Sequence, residues 1–308
     1  MEYTTLYIIG NGFDIHHGIN SRYTDYETWL EANMPEVYGK ILENFMHTDS
    51  DWWKDFEQNL STFNVEGYAA ERAQENYPDL FSDNLAREFD TIVYKSKQDA
   101  ELLLHEILRS FESWIRSLNA PNPTKRIFIR RGQSLFINFN YTSTLEKIYG
   151  IPKCHICYIH GSVDGSEPFI VGHGNIPQQR NSGEILIDEE ERDYVVDMAE
   201  RSVQDAATIL RKDVQGIIKK HWDVWEKMAN VDRICIYGFS FSEIDMPYLQ
   251  HILLEVSSDV AFEISYYSDE DYQKILKFVY DNSLKPQQYQ LVKLSDLISD
   301  SQLSLFDM

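Results

Sequence analysis

The sequence predicts an α/β fold: a Rossmann-like, doubly wound and mostly parallel sheet that carries a large helical insertion. Three observations predict it. Short apolar runs alternate with segments of helical period, each apolar run closes on a glycine or polar tip, and residues 27–126 break this alternation by keeping helical spacing throughout. Strands joined by helices return parallel to one another, and such sheets hold their ligands beyond the carboxyl ends of the strands. The expected division is a core of residues 1–26 and 127–308, an insertion over 27–126 and a short tail over 301–308.

The first apolar run is Leu6-Tyr7-Ile8-Ile9, which leads directly into Gly10-Asn11-Gly12-Phe13-Asp14. A glycine pair at the end of a first strand lets backbone approach a pyrophosphate, whose charge suits the free N–H groups of a following helix. Ile15 stands where the third glycine of G-x-G-x-x-G belongs, so a turn whose glycines merely supply positive φ is an equal reading. Helical spacing then runs through Tyr26, Trp29, Leu30, Val37 and Ile41, through Trp52, Trp53, Phe56 and Leu60, and through a long helix over 84–118, before Pro121 and Pro123 break it.

Residues 134–162 are the stretch around which the chain is organised. Leu135, Phe136, Ile137 and Phe139 form a buried strand that stops at Asn140. Leu145, Ile148 and Tyr149 give the next residues a helical face, and Ile156, Tyr158 and Ile159 restore a strand that stops at His160-Gly161. If both strands are parallel, Asn140 and His160 share one ligand-binding edge. A further strand is expected over 168–174, ending in Gly172-His173-Gly174, whose histidine either joins the site or occupies a turn. Helices over 189–210 and 214–228, a strand over 231–237 closing on Gly238-Phe239-Ser240, a strand over 262–267, a helix over 270–280 and a strand over 289–294 complete the pattern.

Composition narrows the function. Hydrophobic residues at 43% and aromatics at 13% are globular values. No run approaches a membrane span and no export signal precedes the first strand, so the expected location is the cytoplasm. A net charge of −22 repels a phosphate backbone and argues against direct nucleic-acid binding; the basic stretches over 126–131 and 211–220 read as solvated surface. Cys154 and Cys157 form a C-x-x-C with no second pair to complete a zinc site, so no metal is expected. A nuclease would need a carboxylate metal cluster, whereas Asp188, Glu189, Glu190, Glu191 and Asp193 read as a solvated charge run.

Taken in order, IIGNGFD, FNYTSTLEKIYG, IHGS and IYGFSFSEIDMPYL resemble the AbiH family of bacteriophage abortive-infection proteins. More distantly, Asn140 to Glu146 followed by His160-Gly161-Ser162 is similar to the sirtuin pattern of an asparagine-bearing strand tip, a helix and a catalytic His-Gly. That resemblance implies an NAD-cleaving core with Asn140 and His160 as catalytic residues. It assigns Gly10, Asn11 and Gly12 to the glycine loop and Gly238 and Ser240 to a later phosphate- and ribose-binding tip. Read from chemistry alone, Asp14 or Asp245 suits orienting a ribose. The four-cysteine module is missing and Thr142 replaces an expected acid, which disfavours protein deacylation and leaves NAD hydrolysis, with NAD as substrate. Asn140 suits holding a ribose or a water, and His160 suits a base near neutral pH. The same residues also suit quieter work: Asn140 closing a turn, His160 packing neutral, Asp245 capping a helix.

The tail carries a separate expectation. Gln302-Leu303-Ser304-Leu305-Phe306 resembles the pentapeptide with which bacterial replication proteins dock on the sliding clamp, by apolar anchors and a polar glutamine. The alternative is that Leu303, Leu305 and Phe306 fold back onto the sheet. Two functions therefore compete: an NAD glycohydrolase activated on infection, and a non-catalytic nucleotide-binding sensor that acts through a partner such as the clamp. A homo-oligomer is compatible with either.

Overall fold

The computed structural model describes residues 2–47, 51–78, 81–174 and 194–297. From the N-terminus these form β1 (Thr5–Ile9), α1 (Asn11–His16), α2 (Tyr23–Asn33), α3 (Pro35–Asn44), α4 (Phe56–Asn59), α5 (Val65–Glu75) and α6 (Leu85–Ser117). There follow β2 (Ser134–Asn138), α7 (Thr144–Tyr149), β3 (Ile156–Tyr158), α8 (Tyr194–Ala207), α9 (Val214–Lys220) and α10 (Trp222–Trp225). The chain then continues through β4 (Arg233–Tyr237), α11 (Met246–Glu255), β5 (Ala261–Ser265), α12 (Asp269–Asp281) and β6 (Tyr289–Val292).

The six strands make one sheet in the order β3-β2-β1-β4-β5-β6, and every pair is parallel. This is the Rossmann order, with its switch of direction between β1 and β4. All residues of β1 and β2 are buried, which explains their unbroken apolar runs, since a parallel sheet is covered on both faces. Alternate side chains separate accordingly. Leu6, Ile8, Leu135 and Ile137 join Trp225, Tyr248, Ile252 and Phe278 in one core, while Tyr7, Ile9 and Phe136 join Phe13, Leu145 and Tyr149 in the other. The expected doubly wound α/β fold is thus present.

Local chemistry sets several boundaries. The Ser268 hydroxyl accepts from the Asp271 N–H while the Asp271 carboxylate accepts from the Ser268 N–H, a reciprocal cap that starts α12. α7 stops at Gly150, whose φ of +64° is left-handed. The helix expected over 214–228 is broken after Lys220. The Trp225 indole N–H takes the Ile218 carbonyl at 2.7 Å, an acceptor that a continuous helix would give to the Trp222 N–H. The strand expected over 168–174 is not formed. The Ile170 N–H donates to the His160 carbonyl, His173 meets Arg211 only in an isolated bridge, and Gly172 has a φ of +154° where a Cβ would stand 2.2 Å from the Leu210 carbonyl oxygen. The acidic run over 188–193 and the tail over 301–308 lie outside the described residues.

The chain divides into two compact units. One comprises residues 1–25, 115–170 and 213–308 and contains the sheet; the other comprises 26–114 and 171–212. The second unit is helical, and its core is aromatic: Tyr26, Trp52, Phe56 and Phe111 are all fully buried, with the Phe56 and Phe111 rings stacked at 5.7 Å. It also encloses an ion pair, Lys212 with Glu57, at 3% and 7% exposure. Removing one member of a buried pair leaves the other charge without its counterion and costs about 3–5 kcal/mol. Lys212→Met is therefore expected to lower stability by about that amount in urea unfolding, and Lys212→Met with Glu57→Leu to recover most of it. A single variant as stable as the parent would contradict this.

Candidate functional site

The strand tips of the sheet unit end on one level. Ile9 lies opposite both Asn138 and Tyr237, and Asn138 lies opposite Tyr158. The ladder continues one step further through Gly10 N–H to Tyr237 O, Phe139 N–H to Ile9 O and Ile159 N–H to Asn138 O. Asn140 and His160 therefore follow at equivalent positions on neighbouring tips.

At the switch point the glycines of the two central tips press on each other. A Cβ on Gly10 would stand 2.6 Å from the Gly238 carbonyl oxygen, and one on Gly238, at φ +62°, would stand 2.0 Å from the Phe13 nitrogen. The Gly12 N–H donates to the Gly238 carbonyl at 2.8 Å, so the group that a phosphate-cradling loop offers to its ligand is taken up within the protein. Asn11 is likewise engaged at both ends: its amide donates to the Ser21 carbonyl at 2.7 Å and its oxygen accepts from the Ser21 hydroxyl at 2.6 Å. Ser240, by contrast, is exposed.

Asp14, on α1, is 1% exposed and is held by residues that follow β2. The Thr142 hydroxyl donates to one carboxylate oxygen at 2.5 Å and the Thr144 hydroxyl to the other at 2.7 Å. The amide of Asn140 reaches the same carboxylate and also donates to the Gly10 carbonyl at 3.1 Å. Both partners accept, so the amide nitrogen must face them, which leaves the Asn140 carbonyl oxygen as an acceptor for a ligand. Burial pushes the Asp14 carboxyl up to about 6, against the opposing pull of Thr142, Thr144 and Asn140.

His160 is 3% exposed and sits among the rings of Phe139, Tyr248 and Tyr141, with centroid separations of 5.5, 5.9 and 6.3 Å. Its Nε2 stands 4.0 Å from an oxygen of Asp245, beyond hydrogen-bond length but within ion-pair range when the imidazole is protonated. The other Asp245 oxygen accepts from the Ser242 hydroxyl at 2.9 Å, and the Asp245 side chain makes no cap bond to α11. In the connecting tip, Phe241 holds a φ of +54°, rare for a bulky residue, between the rings of Phe239 and Phe278. Local strain of this kind concentrates at functional sites.

Of the residues predicted for the site, Asn140 and Asp14 are thus joined in one polar network, His160 and Asp245 in one acid–imidazole pair, and Gly10, Gly12 and Gly238 in one backbone contact. His173 belongs to the other unit, where it exchanges backbone bonds with Leu210 and Lys212. Thr144 and Tyr248 were missed, and so was the chain in which the Ile127 N–H donates to Tyr149, Tyr149 to His17 Nε2, and His17 Nδ1 to the Phe13 carbonyl. The Phe13 carbonyl can only accept, so Nδ1 carries the hydrogen, and burial draws His17 down to about 4, which keeps it neutral. A signal for Thr144 was available: a carboxylate between the apolar Phe13 and Ile15 needs donors, and hydroxyls two residues apart where a strand tip passes into a helix can supply both.

Two outcomes follow from this geometry. The folded-state value of Asp14 lies above its ordinary 3.8, so its contribution to stability is full below pH 3.8 and is lost as the pH rises through about 6. Asp14→Asn is therefore expected to gain on the parent by roughly 3 kcal/mol between pH 4 and pH 7 in urea unfolding, and a pH-independent difference would refute the assignment. Gly238→Ala, which meets backbone at a positive φ, is expected to lose roughly 3 kcal/mol or more, read as a lowered Tm.

No helix among the described residues is long and apolar enough to cross a membrane. Among curated proteins none matches the chain. The model of the family described as Bacteriophage abortive infection AbiH matches residues 6–266, which run from the first strand to just past β5 and take in all the tips described above. The chain belongs to the AbiH family of bacteriophage abortive-infection proteins.

Proposed function

We propose that this abortive-infection protein acts by hydrolysing NAD at the tips of β2, β3 and β4. The observation that carries the reading is the placement of His160 beside Asp245 above the carboxyl edge of a Rossmann-ordered sheet, where such folds hold nucleotides. In the reaction the bond between ribose C1′ and the nicotinamide nitrogen breaks, and its electron pair leaves with nicotinamide. Water attacks C1′ and passes a proton to His160, which gives ADP-ribose and nicotinamide. Asp245 stabilises the imidazolium so formed. The free carbonyl oxygen of Asn140 accepts from the water or a ribose hydroxyl, and Phe139, Tyr141 and Tyr248 limit access of bulk solvent. The sliding clamp, reached through Gln302, Leu303, Leu305 and Phe306, is the proposed trigger.

A second reading, a nucleotide-binding sensor without turnover, draws on a different observation. Asn11, Gly12 and Asp14 direct their polar groups at other parts of the protein, so fewer groups than a dinucleotide enzyme ordinarily offers face a ligand. Purified protein incubated with NAD, with and without sliding clamp, separates the two. Release of nicotinamide, reduced at least a hundredfold in His160→Ala and about tenfold or more in Asp245→Asn, is the expected result. Recovery of intact NAD under both conditions would reject hydrolysis and favour the sensor.

A further inference from the structure

We propose that a second cleft in the sheet unit, beside the loop that follows β2, is a binding site for a small phosphate monoester. The cleft encloses about 260 Å³ and is lined by Ser143, Lys147, Arg116 and Asp164, with Ile19 and Leu118 on its apolar side. That volume falls below the roughly 300–1,000 Å³ of pockets that take drug-sized molecules, so its occupant is smaller than a dinucleotide. The assignment does not depend on NAD hydrolysis.

Ser143 carries the argument. It occupies the position before α7 where a serine ordinarily accepts a backbone hydrogen bond, yet its side chain makes no cap bond. The residue is 2% exposed, and its hydroxyl is buried without a hydrogen-bond partner among the described residues. A buried hydroxyl in that condition is destabilising. Having no bond to lose, it is the donor that an oxygen bound in the cleft it lines would satisfy.

The neighbouring charges select the class of ligand. Lys147 lies one helical turn further along α7 and is exposed, while Arg116 is held across the cleft by donating to the Val163 carbonyl at 3.0 Å and by lying over the Phe169 ring at 5.3 Å. Two cations and a hydroxyl donor suit a phosphate. Thr142 and Thr144, whose hydroxyls donate to Asp14, present no donor of their own. Asp164 opposes a bare anion but accepts from hydroxyl groups, so a phosphorylated polyol suits the cleft better than inorganic phosphate does. The Lys147 and Arg116 charges are also local exceptions on a chain of net charge −22, which repels anions elsewhere.

Calorimetric titration of the full chain with ribose 5-phosphate, with ribose and inorganic phosphate in parallel, tests the assignment. Binding of ribose 5-phosphate, no binding of ribose, and about tenfold weakening in both Ser143→Ala and Lys147→Gln are the expected results. Ser143→Ala removes a hydroxyl with no partner, so its Tm should not fall, and weakened binding in it cannot be traced to misfolding. Failure of ribose 5-phosphate to bind, or equal affinity in the parent and both variants, would overturn the proposal, as would inorganic phosphate binding as tightly as the ester. Ribose 5-phosphate contains no nicotinamide, so binding retained in His160→Ala after loss of NAD turnover would keep the two sites distinct.

Discussion

The arrangement of the sheet unit depends on the contact between Gly10, Gly12 and Gly238. Parallel strands β1 and β4 run in register to the same level, and a Cβ at any of these glycines would meet backbone of the opposite tip. Only glycine allows the two tips to close in this way. Closure brings the start of α1 against the β4 tip and carries Asp14 into the interior, where a carboxylate cannot remain without donors. Thr142, Thr144 and Asn140 supply them, which fixes the loop after β2. One steric condition at the switch point therefore propagates through a buried acid to the tip that carries Asn140.

The polar groups along this edge fall into two kinds. Asn11, Asp14, Thr142, Thr144 and His17 exchange hydrogen bonds within the protein and hold its tips together. The Asn140 carbonyl oxygen and the His160–Asp245 pair lie where a ligand of the sheet would stand, and Ser143 faces a separate cleft. The strained Phe241 belongs to the same edge, fixed by aromatic packing on both sides. Hydrogen-bonded residues thus hold the tips in place, while His160 rests among the rings of Phe139, Tyr141 and Tyr248. Family membership connects the chain with abortive infection, and the matched residues include the tips along this edge.

Burial on both faces made most of the strands legible, because it demands uninterrupted apolar runs such as Leu6–Ile9 and Leu135–Ile137. The run over 168–171 has the same local pattern, yet the Ile170 N–H is spent on the His160 carbonyl and the His173 N–H on the Leu210 carbonyl, so the run does not pair with the sheet. The helix over 214–228 failed for a similar reason, since a tryptophan N–H from the next turn captured one of its carbonyls. In both places local period was correct and a partner distant in structure was decisive.

The sequence by itself determined the α/β class, the parallel sense of the sheet and the resemblance to AbiH, because each of these is written in contiguous residues whose period and end groups obey local rules. Tertiary structure alone decided the strand order, the meeting of His160 with Asp245, the capture of Asp14 by hydroxyls 128 and 130 residues away, and the idle hydroxyl of Ser143. These depend on which tips stand side by side once the sheet has closed, and no local period encodes that distance.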